Sequence, residues 1–184
     1  ASRYYEFEVV VYGGTPAGIA SAVVAKREGR KVALLVENEH IGGMMTSGLS
    51  FSDKALDDVI GGFSREVFER MGKKYGKDIA WAYEPHVARQ VFEEILCEAD
   101  IPVFLNHPIH KAKVKNKKIR KIQAGTSSRF VADAFVDASY EGDLLARAGV
   151  SYQVGREGRT DYYEHFAGNF PIDVYHQWPD GISP

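Results

Sequence analysis

An α/β fold built on a parallel sheet is predicted by three features of the sequence. Residues 9–12 are a β-branched apolar run broken by Gly13 and Gly14, and a small-residue helical pattern follows. A second apolar run, residues 32–36, ends at the acid Glu37. A third, residues 130–137, returns after a helical middle section. Strands that are apolar on both faces belong in a sheet that other elements cover on both sides, which is how parallel sheets are built.

The 184 residues are enough for one domain with a core, or one domain and the beginning of another. An apolar share of 45% beside 26% charged residues is that of a folded, water-exposed protein and argues against disorder. A formal net charge of −2 supplies no general attraction to nucleic acid or to an anionic membrane surface. No apolar run approaches the roughly 20 residues that a helical membrane span needs, so no membrane partner is expected. The single cysteine, Cys97, excludes a disulfide within this chain and a paired-thiol redox centre. The first residue is alanine and residues 1–5 do not read as a signal peptide, which leaves the compartment unread.

After the first strand, Pro16 suits the first turn of a helix, where its missing N–H is harmless. Ala17, Ile19, Ala20, Ala22, Val23 and Val24 make a helix narrow enough to pack closely on a sheet. Lys26, Arg27, Glu28 and Arg30 form its wet end, with Gly29 as the expected C-terminal cap. The loop 38–50 combines three glycines with Ile41, Met44, Met45 and Leu49, which is oddly apolar for a surface linker. It suits backbone laid against a flat cofactor ring, because glycine permits close approach and positive φ.

Residues 61–76 contain a helix with Phe63, Val67, Phe68 and Met71 on one side. Glu84, Pro85 and His86 open a second helix, with Val87, Val91, Ile95 and Leu96 at helical spacing to about Ala99. Cys97 in that helix reads as a small, partly buried apolar residue. Residues 101–105 read as the third parallel strand, and residues 109–114 and 118–124 as a hairpin around Lys115, Asn116 and Lys117. Seven basic residues lie between Lys111 and Lys121, but they alternate with Ala112, Val114, Ile119 and Ile122. That is the pattern of a solvated sheet face, and without interleaved stacking aromatics it predicts no nucleic-acid partner. Residues 144–148 look helical and stop at Gly149. From residue 151 to 184 the chain turns rich in Tyr, His, Trp and Gly, and reads as the start of a second domain or a loop excursion. The expected division is therefore 1–150 and 151–184.

Strand, glycine turn, helix, strand and terminal acid together make a Rossmann-like crevice for a dinucleotide. The turn leaves room for a pyrophosphate, the helix N-terminus offers unpaired N–H groups, and Glu37 can accept ribose hydroxyls. Mapping the G-x-G-x-x-G pattern onto Gly13, Thr15 and Gly18 puts threonine in the middle position, at some cost in room. The context supports the pattern: Ala22 lies four residues past Gly18 and Glu37 nineteen residues past it.

The stretches 10–20, 41–49, 84–86, 136–144 and 155–159 carry a more specific signal. In these the sequence resembles the FAD-dependent oxidoreductase family of glutathione-reductase-like flavoproteins, particularly a branch found near polysaccharide-degrading enzymes. The stretches run in family order through nearly the whole chain, and that branch tends to carry threonine after the paired glycines. The resemblance implies bound FAD, with Gly13, Gly14, Thr15, Pro16, Ala17 and Gly18 at the pyrophosphate and Glu37, with Asn38 beside it, at the adenosine ribose. It sets Gly42, Gly43 and Met44 beside the ribityl chain and flavin, Ile109 at the adenine through its backbone, and Ala138 and Ser139 where the chain returns to the cofactor. Many relatives have Thr-Gly where this chain has Ser139-Tyr140.

Such flavoproteins finish the nucleotide domain with a later glycine- and acid-containing segment, and nothing after Asp143 resembles it. The expectation is an incomplete FAD-binding domain: a Rossmann-like parallel sheet with a β-hairpin or meander insertion, from the N-terminal part of a longer flavoprotein. The implied activity is hydride transfer between flavin and a small organic substrate. A non-catalytic module binding NAD in the same crevice is the alternative that the residues leave open.

No catalytic base stands out among His40, His86, His107, His110, His165 and His176. Arg156 and Arg159 could clamp an anionic substrate or simply be solvated. No His/Cys/Asp/Glu spacing suggests a metal, and no G-x-S-x-G turn suggests a serine nucleophile.

Overall fold

The structure is a computed structural model and describes residues 3–53 and 56–152. Its centre is a ten-residue strand, β1 (Arg3–Tyr12), whose last three residues are buried. Thr15 ends the turn after it and caps α1 (Pro16–Arg27), with proline in the first turn as expected. Glu28 takes the cap position at the other end, and Gly29, at φ +80°, is the residue beyond it where left-handed backbone is required. The chain then enters β2 (Val32–Leu35), buried throughout.

After a single turn of helix α2 (Met44–Ser47) and a 3₁₀ turn at Asp57–Val59 come two amphipathic helices, α3 (Gly62–Lys74) and α4 (Pro85–Glu98). The third parallel strand, β3 (Val103–Phe104), is shorter than the apolar run predicted. Pro102 lies at its start and Asn106, at φ +56°, turns the chain away beyond it. The meander β4 (Ile109–Lys115), β5 (Lys118–Ala124) and β6 (Ser128–Asp137) follows, then the short α5 (Asp143–Arg147). The sheet order is β3-β2-β1-β6-β5-β4. β1, β2, β3 and β6 run parallel; β4 and β5 are antiparallel additions beyond β6. This is an α/β Rossmann-like arrangement in which the sheet is mixed rather than purely parallel.

Alternate residues of β1 and β2 face two different cores. Val11, Leu34 and Val36 pack with Ile19, Ala22 and Val23 of α1 and with Val91, Phe92 and Ile95 of α4. Val10, Tyr12, Ala33 and Leu35 pack instead with Ile109, Ile122, Phe130 and Leu144. Phe104 at one sheet edge lies 4.9 Å, ring to ring, from Phe130 of β6, and Tyr5 stacks on Phe130 at 5.0 Å. The meander therefore curls over the face opposite α1, supplying the cover that a second helical layer would give. Cys97 is exposed rather than partly buried, because it lies on the side of α4 away from Phe92 and Ile95. The expected second unit, with Arg156, Arg159, His165 and His176, lies outside the described residues beyond Ser151 and Tyr152.

An ion-pair network ties the three helices of the first face together. Arg27 at the end of α1 donates two hydrogen bonds to Glu66 of α3, at 2.7 and 2.8 Å. Arg70 bonds Glu66 and reaches Glu98 of α4. The Arg27 hydrogen bonds, helped by Arg70 and opposed by partial burial, hold the Glu66 carboxyl below its ordinary range. A depressed carboxylate stabilises the fold above its unfolded pKa and loses that effect as pH falls through the folded one. Glu66→Gln is therefore expected to lower stability by about 1 kcal/mol at neutral pH. The difference from wild type should close in acid, below the unperturbed glutamate value of 4.5, in urea titrations across pH.

The hairpin turn offers a second test. Asn116 and Lys117 both have positive φ, 53° and 58°, as a type I′ turn demands. Lysine pays a steric penalty there that glycine does not. Lys117→Gly should raise stability by roughly 0.5–1 kcal/mol, visible as a higher urea midpoint with unchanged slope.

Candidate functional site

The carboxyl ends of β1, β2 and β6 lie along one edge of the sheet. The connection from β1 runs through α1 to β2 on one side, while β6 pairs with β1 on the other. A crevice opens where connections diverge in this way, and ligands of open α/β sheets bind there. Its walls are the loops 13–16, 37–44 and 138–142.

The glycines are what let these loops meet. A Cβ on Gly13 would stand 2.5 Å from the carbonyl carbon of Ala138, and one on Gly18 would stand 1.9 Å from the Gly13 oxygen. At Gly14 it would meet Val36 at 2.7 Å, and the Gly14 carbonyl accepts the Gly42 N–H at 2.6 Å. Real side chains do not tolerate such separations, so Gly13 and Gly18 are backbone-on-backbone contacts, and Gly14 packs on the Val36 side chain, before any of them is a ligand contact. Gly42, at φ +88°, packs on Thr46 and Phe92; Gly43, at φ +52°, packs on Tyr140 and Pro16.

Thr15, the residue that interrupts the glycine fingerprint, is only 5% exposed. Its hydroxyl accepts the Gly18 N–H at 3.1 Å, capping α1, and donates to the Ala138 carbonyl at 2.8 Å. The side chain is thus turned into the protein and takes no room from the crevice. The N–H groups of Gly14, Thr15 and Ala17 have no partner among the described residues, as the start of a helix leaves them.

The other predicted residues divide by how fully the protein engages them. Glu37 is exposed and its carboxylate has no partner among the described residues. Asn38 is a turn residue: its side chain accepts the His40 N–H at 2.7 Å and its carbonyl accepts the Asn106 N–H at 2.8 Å. Met44 is half exposed, and its N–H donates to the Tyr140 hydroxyl at 2.9 Å. The Ile109 N–H donates to the Tyr12 hydroxyl at 3.1 Å, so that donor is already engaged. Ala138 donates its N–H to the Tyr12 carbonyl at 2.8 Å. Ser139 accepts from Asp143 N–H and donates to Asp137, which in turn accepts Leu145 N–H. Ala138 and Ser139 lie on the crevice wall, while the Ser139 side chain serves the start of α5.

Three residues absent from the sequence-based site shape it: Tyr12, Asp137 and Tyr140. Tyr12 is buried, and burial pushes its hydroxyl above the ordinary phenol range, with Asp143, Glu37 and Asp137 adding to the effect. The signal for Tyr12 was a hydroxyl in an otherwise β-branched strand. For Asp137 it was the Asp-x-Ser spacing before a helix.

The histidines do not converge. His40, His86 and His110 are exposed on separate elements. His107 bonds the Leu105 carbonyl and the Ser128 hydroxyl and lies edge-on to Phe104 and Phe130, which makes it structural. Among the described residues no group of three or more His, Cys, Asp or Glu could hold a metal ion, and no helix is long and apolar enough to cross a membrane.

The donor set suits the adenosine diphosphate half of a dinucleotide: unpartnered amides at a helix N-terminus and, across the β1–β2 turn, an unpaired carboxylate. A family model described as FAD dependent oxidoreductase matches residues 8–182. No curated protein matches the chain. Among solved structures, L-proline dehydrogenase from P. horikoshii is similar at TM-score 0.61 and 13% identity, over 83% of this chain and 58% of that one. A geranylgeranyl bacteriochlorophyll reductase-like protein from Thermoplasma acidophilum is similar at TM-score 0.58 and 19% identity, over 80% and 43%. Thioredoxin reductase from T. acidophilum is similar at TM-score 0.51 and 16% identity, over 73% and 35%. At these identities the likeness is one of fold, and this chain spans about half the length of the first two.

The clamp formed by Thr15 is the most direct test of the site's construction. Thr15→Val removes a helix cap and leaves the Ala138 carbonyl without its donor, so unfolding free energy should fall by about 2 kcal/mol. Thr15→Ser keeps both bonds and should recover most of the loss in the same denaturant titration.

Proposed function

The chain belongs to the FAD dependent oxidoreductase family, and on that premise we propose that it forms the FAD-binding part of an enzyme moving hydride between flavin and a small organic substrate. FAD is the cofactor of the family. When bound, the flavin supplies the redox chemistry, and the protein supplies binding, orientation and electrostatics.

The observation that carries this reading is the juxtaposition of unengaged groups at the sheet edge. Among the described residues the amides of Gly14, Thr15 and Ala17 have no partner, while every glycine beside them is packed against protein. In the proposal these amides hold the pyrophosphate, Pro16 keeps the helix start rigid, and the Glu37 carboxylate accepts the ribose hydroxyls. Gly42, Gly43 and Met44 form the wall along which the ribityl chain passes. Asn38, Ile109, Ala138 and Ser139 act through backbone and by holding the walls in place, since their polar groups are largely engaged within the protein.

The substrate is a small molecule whose oxidation or reduction a flavin can carry out. The groups that would orient it and move its proton belong to the parts of the protein beyond this crevice. None of the four histidines of the described residues lies with another at the site, so none is assigned as base.

Glu37 offers a test that separates binding from folding. Its carboxylate is exposed and unpaired among the described residues, so Glu37→Ala should leave the melting temperature unchanged within error. It should weaken FAD binding about tenfold, measured by quenching of flavin fluorescence, because a charge-assisted hydrogen bond to the ribose is lost. Wild type that takes up NAD in place of FAD, showing no visible flavin absorption, would refute the proposal.

A further inference from the structure

Tyr140 lies in the loop after β6, and its position in the crevice is specific. The phenol oxygen accepts the Met44 N–H at 2.9 Å. It lies 2.1 Å from the point where a Cβ on Gly43 would stand, with Pro16 Cδ 3.2 Å from that same point. The side chain thus reaches from the loop after β6, across the mouth of the crevice, to the loop after β2 and the start of α1. It is 55% exposed. The hydroxyl makes its bond at the first amide of α2, and the ring is not among the side chains of either core. Gly43 has a φ of +52°, where a side chain is strained, and the phenol lies against it.

We propose that Tyr140 is a latch across the cofactor crevice, closed in the structure described here, which must swing outward before a dinucleotide can lie along Gly43 and Met44. The inference rests on the cofactor reading given above. The latch is held by one neutral hydrogen bond and a partly solvated ring, so closing it is weakly favourable and opening it is cheap. A ligand that binds only the open form has its affinity reduced by the fraction of molecules that are closed. A tyrosine here therefore makes cofactor binding a competition with the protein's own side chain, and makes the Met44 amide a reporter of the latch.

The test compares wild type, Tyr140→Phe and Tyr140→Gly in the full chain, using FAD as the probe. Stopped-flow quenching of flavin fluorescence reads association, and hydrogen exchange of the Met44 amide without FAD reads the latch directly. Tyr140→Phe keeps the ring but loses the acceptor, so Met44 exchange should quicken and FAD affinity should rise roughly threefold to tenfold. Tyr140→Gly should bind at least as tightly and associate faster than either. Met44 exchange in Tyr140→Phe as slow as in wild type overturns the latch. So does FAD binding that is unchanged or weaker in both variants, and in that case the cofactor reading stands because wild type still binds. If FAD binds none of the three, the cofactor reading itself fails and the latch with it.

Discussion

The exit of β1 and the exit of β6 touch along their backbones, and the rest of the crevice follows from that contact. The Thr15 hydroxyl donates to the carbonyl of Ala138, 123 residues away in sequence, while Ala138 donates its N–H to the Tyr12 carbonyl. Gly13 has no side chain at the place where the Ala138 carbonyl passes. With any larger residue at position 13 the two strand ends would have to separate, and the α1 N-terminus would lose its fixed relation to the loop after β6. The proposed dinucleotide site lies in the angle between those elements, so their close approach shapes it.

Two cores hold this contact from either side, and each uses a different solution to the same problem. On one face α1 and α4 bury β1 and β2 with aliphatic side chains, and Glu66 links α1 to α3 through Arg27. On the other the meander curls back so that Phe104, Tyr5 and Phe130 meet. Burying Tyr12 beneath the meander would be costly without a partner for its hydroxyl, and the Ile109 N–H supplies one. That bond also pins the start of β4 over the end of β1, which leads into the glycine turn.

A division of labour among the crevice residues emerges from this packing. The glycines and Thr15 hold protein to protein. The amides of the first helical turn and the Glu37 carboxylate are left over, and they carry the signs that a phosphate and a ribose need. Tyr140 bridges the two loops that flank them. The family match covers residues 8–182, and the fold is shared with longer proteins.

Much of this was legible in residue order alone. Apolar runs at residues 9–12 and 32–36, the glycine turn and the Lys115–Lys118 hairpin are local patterns, and local patterns follow from backbone sterics and from the period of burial. The sequence by itself therefore determined the parallel strands, the helix between them, the acid at the second strand's end and the class of ligand. It could not determine which way a side chain turns when several partners are available. Thr15 looked like an intrusion into the pyrophosphate site and is a buried clamp; Ile109 looked like a free backbone and is bonded to Tyr12; Cys97 looked partly buried and is exposed. Cys97 turned on which side of α4 meets the core; the Thr15 and Ile109 outcomes depend on contacts between residues about a hundred positions apart, and such contacts exist only once the meander has folded over the sheet and the β6 exit has met the β1 turn.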